Sequence, residues 1–388
     1  MIEKQIQTCS KCILPEGFLG IQLNSEKKCN FCCDSTYKNA NWYGRTVTPE
    51  LRKNCLQEWN EIIKSLKENG KNNAYDCVLG FSGGKDSTAL LDYLTNDIGL
   101  KVLAVTVDIG FIPDIAKENV KKTVNQLKFA QHHVLIEDAI TTFTKLYRYL
   151  FLSHKSNEIL LSRKVCDYCC DLLHSIVVKV AVKRKIPYVF FGYSPDQIFR
   201  YFFEIPRNEI TNEWRPTIID ALPFDESDKE WYLSDEDINN NAIPRVILPY
   251  HVLEYSEKCV IERVESKNLI SKGHADPLLT NCDVIPATAF YDLNRYGGML
   301  YAFQYAELVR QDPSIRKKWL ITLKQVVPLI LKNKYKEKPV KDFFRKIGVS
   351  IEQIREAIDE QLKQDPQKDH INKIKQFFFK KKGTIYKS

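Results

Sequence analysis

A run of eight residues, Gly80-Phe81-Ser82-Gly83-Gly84-Lys85-Asp86-Ser87, has the composition of an anion site. It follows an apolar β-type run, Tyr75-Asp76-Cys77-Val78-Leu79, and leads into a helix-like stretch, Thr88-Ala89-Leu90-Leu91-Asp92-Tyr93-Leu94. Strand, glycine turn and helix start, in that order, aim backbone N–H groups and the positive end of the helix dipole at a ligand. Gly83 and Gly84 let the backbone approach phosphate oxygens. Lys85 adds a full positive charge, Asp86 is a candidate Mg²⁺ ligand, and Ser82 and Ser87 offer hydroxyls. A Walker A loop is excluded, because it needs four residues between its first Gly and the Gly-Lys pair, then Ser or Thr. Here Gly80 leaves three, and Asp86 follows the lysine. The competing reading is an ordinary glycine turn in a βα connection, which so long a run after a strand disfavours.

Cysteine spacing points to a second chemistry. The chain has 12 cysteines. Cys9-Ser10-Lys11-Cys12 and Cys29-Asn30-Phe31-Cys32 are C-x-x-C knuckles separated by 16 residues, the pattern of a zinc ribbon. The few apolar residues between them cannot build a core, so the metal would supply the folding energy. Cys33 adjoins Cys32 and competes as a ligand, but the spacing favours Cys32. A further set comprises Cys166-Asp167-Tyr168-Cys169-Cys170 and the distant Cys282. Cys166, Cys169 and Cys282 could bind zinc with a fourth ligand, for which His174 is a candidate, or hold three irons of a [4Fe–4S] cluster. They could equally be small buried residues. The expected helix at 170–184 would set its N-terminus beside the first pair and favour thiolates there. The remaining histidines lack a motif context and read as structural or solvated.

These groups need elements to position them. Thr48-Pro49-Glu50 starts an amphipathic helix at 48–70. Strands at 102–107, 132–136 and 188–191 alternate with helices at 113–128, 139–151 and 170–184, which predicts a doubly wound parallel sheet. Ligands bind at the carboxyl ends of such strands. That rule gathers the 82–87 turn, Asp108 to Phe111, and Gly192-Tyr193-Ser194-Pro195-Asp196-Gln197 at one edge. Asp108 and Gly110 would lie near a nucleoside. Asp196 would approach substrate or metal, or else cap the next helix, and Arg200 is a candidate anion contact. Residues 204–245 are polar, acidic and Pro-rich and read as an insertion or flexible loop, and 290–388 read as mainly helical. The expected domains are a zinc ribbon at 1–45, an α/β domain at 46–285 and a helical region at 286–388.

Bulk properties are those of an ordinary soluble protein: 388 residues, 44% hydrophobic, 27% charged, net charge +8. No apolar run approaches the roughly 18–20 residues needed to cross a bilayer. The start lacks the plan of a signal peptide, so cytoplasm and no membrane partner are the expectation. Acidic residues concentrate at 220–237 and basic ones after Lys363, ending in Lys380-Lys381-Lys382. Without interleaved aromatics that tail reads as a solvated end rather than a nucleic-acid site.

The Ser-Gly-Gly-Lys-Asp-Ser run at 82–87 resembles the PP-loop of the ATP pyrophosphatase superfamily, which has an adenine nucleotide alpha hydrolase-like fold. Its members release pyrophosphate from ATP and leave AMP on the substrate. The order of ribbon cysteines, PP-loop, C-x-x-C and the strand Lys185-Ile186-Pro187-Tyr188-Val189-Phe190-Phe191-Gly192 resembles the N-acetyl sugar amidotransferases of surface-polysaccharide pathways, over about residues 9–195. That likeness implies conversion of an N-acetyl group to an acetamidino group, with ammonia from a separate glutaminase subunit. The same order is similar to that of the PP-loop tRNA thiolation enzymes, which implies an iron–sulfur cluster on Cys166, Cys169 and Cys282 and a tRNA partner. Both imply ATP, Mg²⁺ and Zn²⁺, Lys85 and Asp86 as the catalytic pair, and a nucleotide site drawing on Ser82, Gly83, Gly84, Ser87, Asp108, Gly110, Gly192 and Asp196.

Overall fold

The computed structural model of the chain describes residues 6–33, 47–70, 74–155, 160–195, 201–214, 220 and 222–379; Asp196, Gln197 and Arg200 lie outside them. The chain divides into two compact units. One comprises residues 1–40, 150–166 and 283–388, the other residues 41–149 and 167–282.

The second unit is built on six strands: β1 (Cys77–Gly80), β2 (Val102–Val107), β3 (His133–Ile136), β4 (Tyr188–Phe191), β5 (Glu204–Ile205) and β6 (Arg245–Ile247). Their order is β3-β2-β1-β4-β6-β5. β1 pairs in parallel with β2 on one side and β4 on the other, and β6 extends the parallel set beyond β4. Every residue of β2 is buried, as a strand covered on both faces requires, and its one polar residue, Thr106, donates to the Phe81 carbonyl at 2.6 Å. The helix Pro49–Asn69 begins where Thr48 Oγ1 accepts the Leu51 N–H at 3.0 Å, with Pro49 at its first position. It lays Trp59, Ile62, Ile63 and Leu66 on the sheet, Trp59 meeting the Phe190 ring edge-on at 5.3 Å.

Chain order decides where a ligand can sit. From β1 the chain moves outward to β2 and β3, then returns to place β4 on the opposite side of β1. The connections after β1 and β4 therefore diverge, and the crevice at the carboxyl ends of these two strands is the topological switch point.

The sheet departs from the expectation at its edge. The described residues within 204–245 form elements rather than a plain loop: β5 pairs antiparallel with β6, and Arg245 Nε donates to Glu204 Oε1 at 2.8 Å. Short helices Arg207–Glu213, Glu226–Lys229 and Asp235–Asn240 lie between them. The acidic residues that read as loop act as caps, with Asp225 and Asp228 forming one capping box and Ser234 and Asp237 another. Asp225 and Asp228 also receive Lys145 Nζ at 2.8 and 2.6 Å.

In the first unit the helix Val284–Tyr296 is buried along most of its length against helices Arg316–Leu331, Glu337–Lys346, Ile351–Lys363 and Lys368–Phe379, and helix Leu300–Gln311 packs on Arg316–Leu331. Buried Arg295 donates to Asp365 Oδ2 at 2.6 Å and to Gln361 Oε1 at 3.0 Å. Phe151 packs against Phe343, Phe344 and Tyr291.

A second departure concerns the helix expected at 170–184, which spans Leu161–Arg184. Cys166 and Cys169 lie inside it, not before it, so the helix start cannot act on them as expected. The early start comes from a distant cap. Asp292, fully buried, accepts the Leu161 N–H at 2.8 Å and the Ser162 N–H at 3.0 Å. Two of the first-turn donors are thus satisfied from a segment some 130 residues away.

Burial pushes the Asp292 carboxyl up to about 7, with hydrogen bonds from Ser162 and Leu161 opposing. The folded chain then holds a proton that the unfolded chain releases between about pH 4 and pH 7. The contribution is full below about pH 4 and is lost as pH rises through about 7, a difference on the order of 4 kcal/mol. Urea denaturation of wild type and Asp292→Asn from pH 4.5 to 8 should show wild type losing stability relative to the variant with rising pH. Parallel curves would show that Asp292 does not titrate in this window.

Candidate functional site

The turn after β1 is shaped by its own hydroxyls and one glycine. Gly83 has φ +76°, and a Cβ there would lie 2.4 Å from the Ala116 carbonyl oxygen, so only glycine fits. Gly84 is extended at φ −76°, ψ 158°, and a Cβ there would meet only Ser82 Oγ at 3.4 Å. Its lack of a side chain is not demanded by the turn and leaves the backbone open to a ligand. Ser82 Oγ and Ser87 Oγ lie 3.1 Å apart, Ser87 Oγ donates to the Gly84 carbonyl at 3.2 Å, and the Ser82 N–H donates to Ser87 Oγ at 3.3 Å. The serines thus staple the turn to the first turn of helix Lys85–Asp92. By helix geometry, the first N–H groups of that helix have no partner within it.

Lys85 is buried, with its ammonium donating to Asp86 Oδ2 at 2.7 Å and to the Tyr255 hydroxyl at 3.5 Å. Glu257 Oε1 lies 3.6 Å from the same ammonium. Tyr255 donates to Asp86 Oδ1 at 2.7 Å, and Tyr250 donates to the Asp86 main-chain oxygen at 3.2 Å. Burial first, then the Asp86 charge, pushes the Tyr250 phenol up, so it stays a neutral donor. No motif marks these tyrosines or Glu257. Their sequence distance from the turn kept them out of the sequence reading.

Asp108, at the end of β2, accepts Lys117 Nζ at 2.7 Å and the Gly110 N–H at 2.8 Å. Gly110 has φ +80°. The helix Asp114–Gln126 supplies Lys117 and also Asn119, whose amide donates to the Gly83 carbonyl at 3.1 Å and to the His274 carbonyl at 3.1 Å. Asn119 is buried on the same helix as Ala116, Val120 and Val124, and both amide hydrogen bonds satisfy it there. Gly192 follows β4, and its Cα lies against the Ser87 backbone. Ser82 to Ser87, Asp108, Gly110 and Gly192 all belong to the connections leaving β1, β2 and β4.

The other unit gathers Cys9, Cys12, Cys29 and Cys32, whose Sγ atoms lie within 4.8 Å of one another. Cys12 and Cys29 Sγ are 3.7 Å apart, matching the roughly 3.8 Å edge of a tetrahedron with metal–sulfur bonds of about 2.3 Å. Backbone N–H groups of Lys11, Cys12 and Cys29 donate to Cys9 Sγ at 3.4, 3.4 and 3.2 Å, which favours a thiolate. The Cys12, Cys29 and Cys32 thiols hold Cys9 well below the usual thiol range, and Cys29, Cys32 and Cys9 push Cys12 up. Arg316 fixes the first knuckle by donating to the Cys9 and Cys12 carbonyls at 2.6 and 2.9 Å. Cys33 is exposed and receives the Asn24 amide at 3.3 Å, consistent with Cys32 as the fourth ligand. Donor type and spacing fit a tetrahedral metal.

The second cysteine set is placed as follows. Cys166 and Cys169 are three residues apart within helix Leu161–Arg184, hence on one face. Cys166 Sγ lies 3.7 Å from the Tyr301 hydroxyl, and Cys169 Sγ 3.0 Å from the Tyr147 hydroxyl. Cys282 is partly buried, between helices Pro277–Thr280 and Val284–Tyr296. His174 directs Nε2 to the Tyr193 hydroxyl at 2.7 Å, within a ring cluster that includes Phe191 and Trp214.

The family model "Arginosuccinate synthase N-terminal HUP domain" matches residues 76–194. An uncharacterised protein of Methanocaldococcus jannaschii is 28% identical over 178 residues, 43% of this chain and 59% of that protein. Argininosuccinate synthase of Clostridium tetani is 28% identical over 146 residues, 36% of this chain and 35% of that enzyme. The chain thus spans less than two thirds of either curated relative. Among solved structures, the U34-tRNA thiolase NcsA from Methanococcus maripaludis with its [4Fe–4S] cluster is similar at 14% identity and TM-score 0.34, over 88% of both chains. Among the described residues, no helix is long and apolar enough to cross a membrane. The matched segment runs from β1 to just past β4 and carries the glycine turn between its first strand and helix, and over it the chain is similar to the N-terminal HUP domain of argininosuccinate synthases.

Proposed function

We propose that the chain adenylates an amide or carbonyl oxygen and then passes the activated carbon to ammonia. The carrying observation is the pairing of buried Lys85 with a helix N-terminus at the switch point of the sheet. The acceptor oxygen attacks the α-phosphate of ATP, and the bond from the α-phosphorus to the bridging oxygen of the β-phosphate breaks. Pyrophosphate leaves with that electron pair. The amides of Gly83 and Gly84 and the ammonium of Lys85 stabilise the charge that develops on it. Asp86 would hold Mg²⁺, which neutralises phosphate charge when bound. Ammonia then adds to the imidate carbon, AMP departs with the carbon–oxygen bond pair, and the added nitrogen loses its proton to solvent. Asp108 and Gly110, and by sequence position Asp196, would border the nucleoside and acceptor.

The motif order supports an N-acetyl sugar as acceptor, with ammonia from a separate glutaminase subunit. Placement of Cys166 and Cys169 on one helix face supports a second reading, in which these residues with Cys282 hold an iron–sulfur cluster and sulfide replaces ammonia, with tRNA or a small molecule as acceptor. Zinc on Cys9, Cys12, Cys29 and Cys32 would have a structural role, ordering a segment with little core of its own.

Lys85→Ala should lower pyrophosphate release by about 10²–10³-fold while leaving the circular dichroism spectrum unchanged; undiminished release would remove Lys85 from the mechanism. Label from ¹⁵N-ammonia should enter the product, whereas label from ³⁵S-sulfide would establish the second reading. Elemental analysis of anaerobically purified protein should find one zinc per chain that is lost in Cys9→Ser/Cys12→Ser. Iron and sulfide in addition would favour sulfur transfer.

A further inference from the structure

Asp86 is held from three directions by groups far away in the chain or unlike one another in kind. Its Oδ1 takes the Tyr255 hydroxyl, its Oδ2 takes Lys85 Nζ, each at 2.7 Å, and its main-chain oxygen takes Tyr250 at 3.2 Å. The fold does not need this much, because a carboxylate in the first turn of a helix is already favoured by the dipole. The two side-chain donors differ in kind. Lys85 is a cation on a flexible stem that phosphate oxygens can draw away. Tyr255 is a neutral phenol on a rigid ring, edge-on to Tyr250 at 5.4 Å.

Tyr255 is itself fixed by its neighbours in sequence. Ser256 caps the helix Glu257–Ser266 by accepting the Cys259 N–H. Arg263 Nε and Lys267 Nζ bind Asp92 at 2.6 and 2.7 Å, so the segment is tied to both ends of helix Lys85–Asp92.

Resting on the adenylation reading, we propose that Tyr255 is a positioning residue: it orients the Asp86 carboxylate for the divalent cation that arrives with the nucleotide triphosphate. When Lys85 turns to the phosphate, Oδ2 is released while Tyr255 still holds Oδ1. The carboxylate then offers one oxygen to the cation in a set direction.

The test is equilibrium binding, not turnover. Mn²⁺ is titrated by electron paramagnetic resonance into protein saturated with α,β-methylene-ATP, which cannot release pyrophosphate. Tyr255→Phe should weaken Mn²⁺ roughly 10- to 100-fold, the worth of one hydrogen bond to a charged group, and leave metal-free nucleotide affinity within about twofold in EDTA. In an Asp86→Asn background the same change should have no further effect on Mn²⁺. Unchanged Mn²⁺ affinity in Tyr255→Phe, an equal loss of metal-free nucleotide binding, a further loss in the Asp86→Asn background, or loss of the wild-type melting transition would each overturn the proposal. A wild-type chain that binds no nucleotide would instead sink the adenylation reading.

Discussion

A Cβ on Gly192 would lie 3.0 Å from Ser87 Cα and 3.1 Å from its nitrogen. The end of β4 and the first turn of helix Lys85–Asp92 are therefore in backbone contact, with no room for a side chain between them. This contact fixes the helix start against the sheet. It obliges the chain to reverse within a few residues of β1, which it does at Gly83 in a conformation closed to other residues. It also puts the helix N-terminus at the crevice between β1 and β4, the site that the strand order opens. The position of the glycine turn and of the helix N-terminus is thus a consequence of how closely two backbones pass.

Charge placement around that contact follows from burial. Lys85 is almost wholly removed from solvent, and a buried ammonium must be paired. Asp86, Glu257 and the Tyr255 hydroxyl surround it. At the far end of the same helix, Asp92 is fully buried and answered by Arg263 and Lys267. A helix carrying a buried cation at its start and a buried anion at its end is matched by one helix, Glu257–Ser266, with the opposite arrangement. Each buried charge has two partners of opposite sign, so the pairs hold the two helices in one alignment.

The other unit solves a different problem. The ribbon has few apolar residues of its own, and four thiols are crowded within 4.8 Å. Thiolates at that spacing repel one another unless a cation sits among them, and the Arg316 contacts hold the first knuckle without neutralising the sulfurs. In the same unit, the fully buried Asp292 side chain starts the helix Leu161–Arg184. Its cost of burial is offset by two backbone donors that would otherwise lack partners.

What could be seen in the chain itself were the patterns whose physics is local. The apolar runs 77–80, 102–107 and 188–191 with helices between them specify a largely parallel sheet. The glycines after β1 specify a tight turn into a helix, and two C-x-x-C pairs specify a four-cysteine cluster, because these depend on a few adjacent residues. The acidic stretch at 220–237 is ambiguous in sequence because caps and loops use the same residues, and only folding shows that Asp225 and Ser234 begin helices. The helix holding Cys166 and Cys169 begins well before its expected start because its cap, Asp292, comes from another part of the chain. Tyr250, Tyr255 and Asn119 carry no motif and meet the turn only through tertiary packing. Local sequence can set the type of an element and the chemistry of a turn. Which distant donor satisfies a buried carboxylate or carbonyl is decided by packing, where leaving such a group unpaired costs more than bringing its partner from far along the chain.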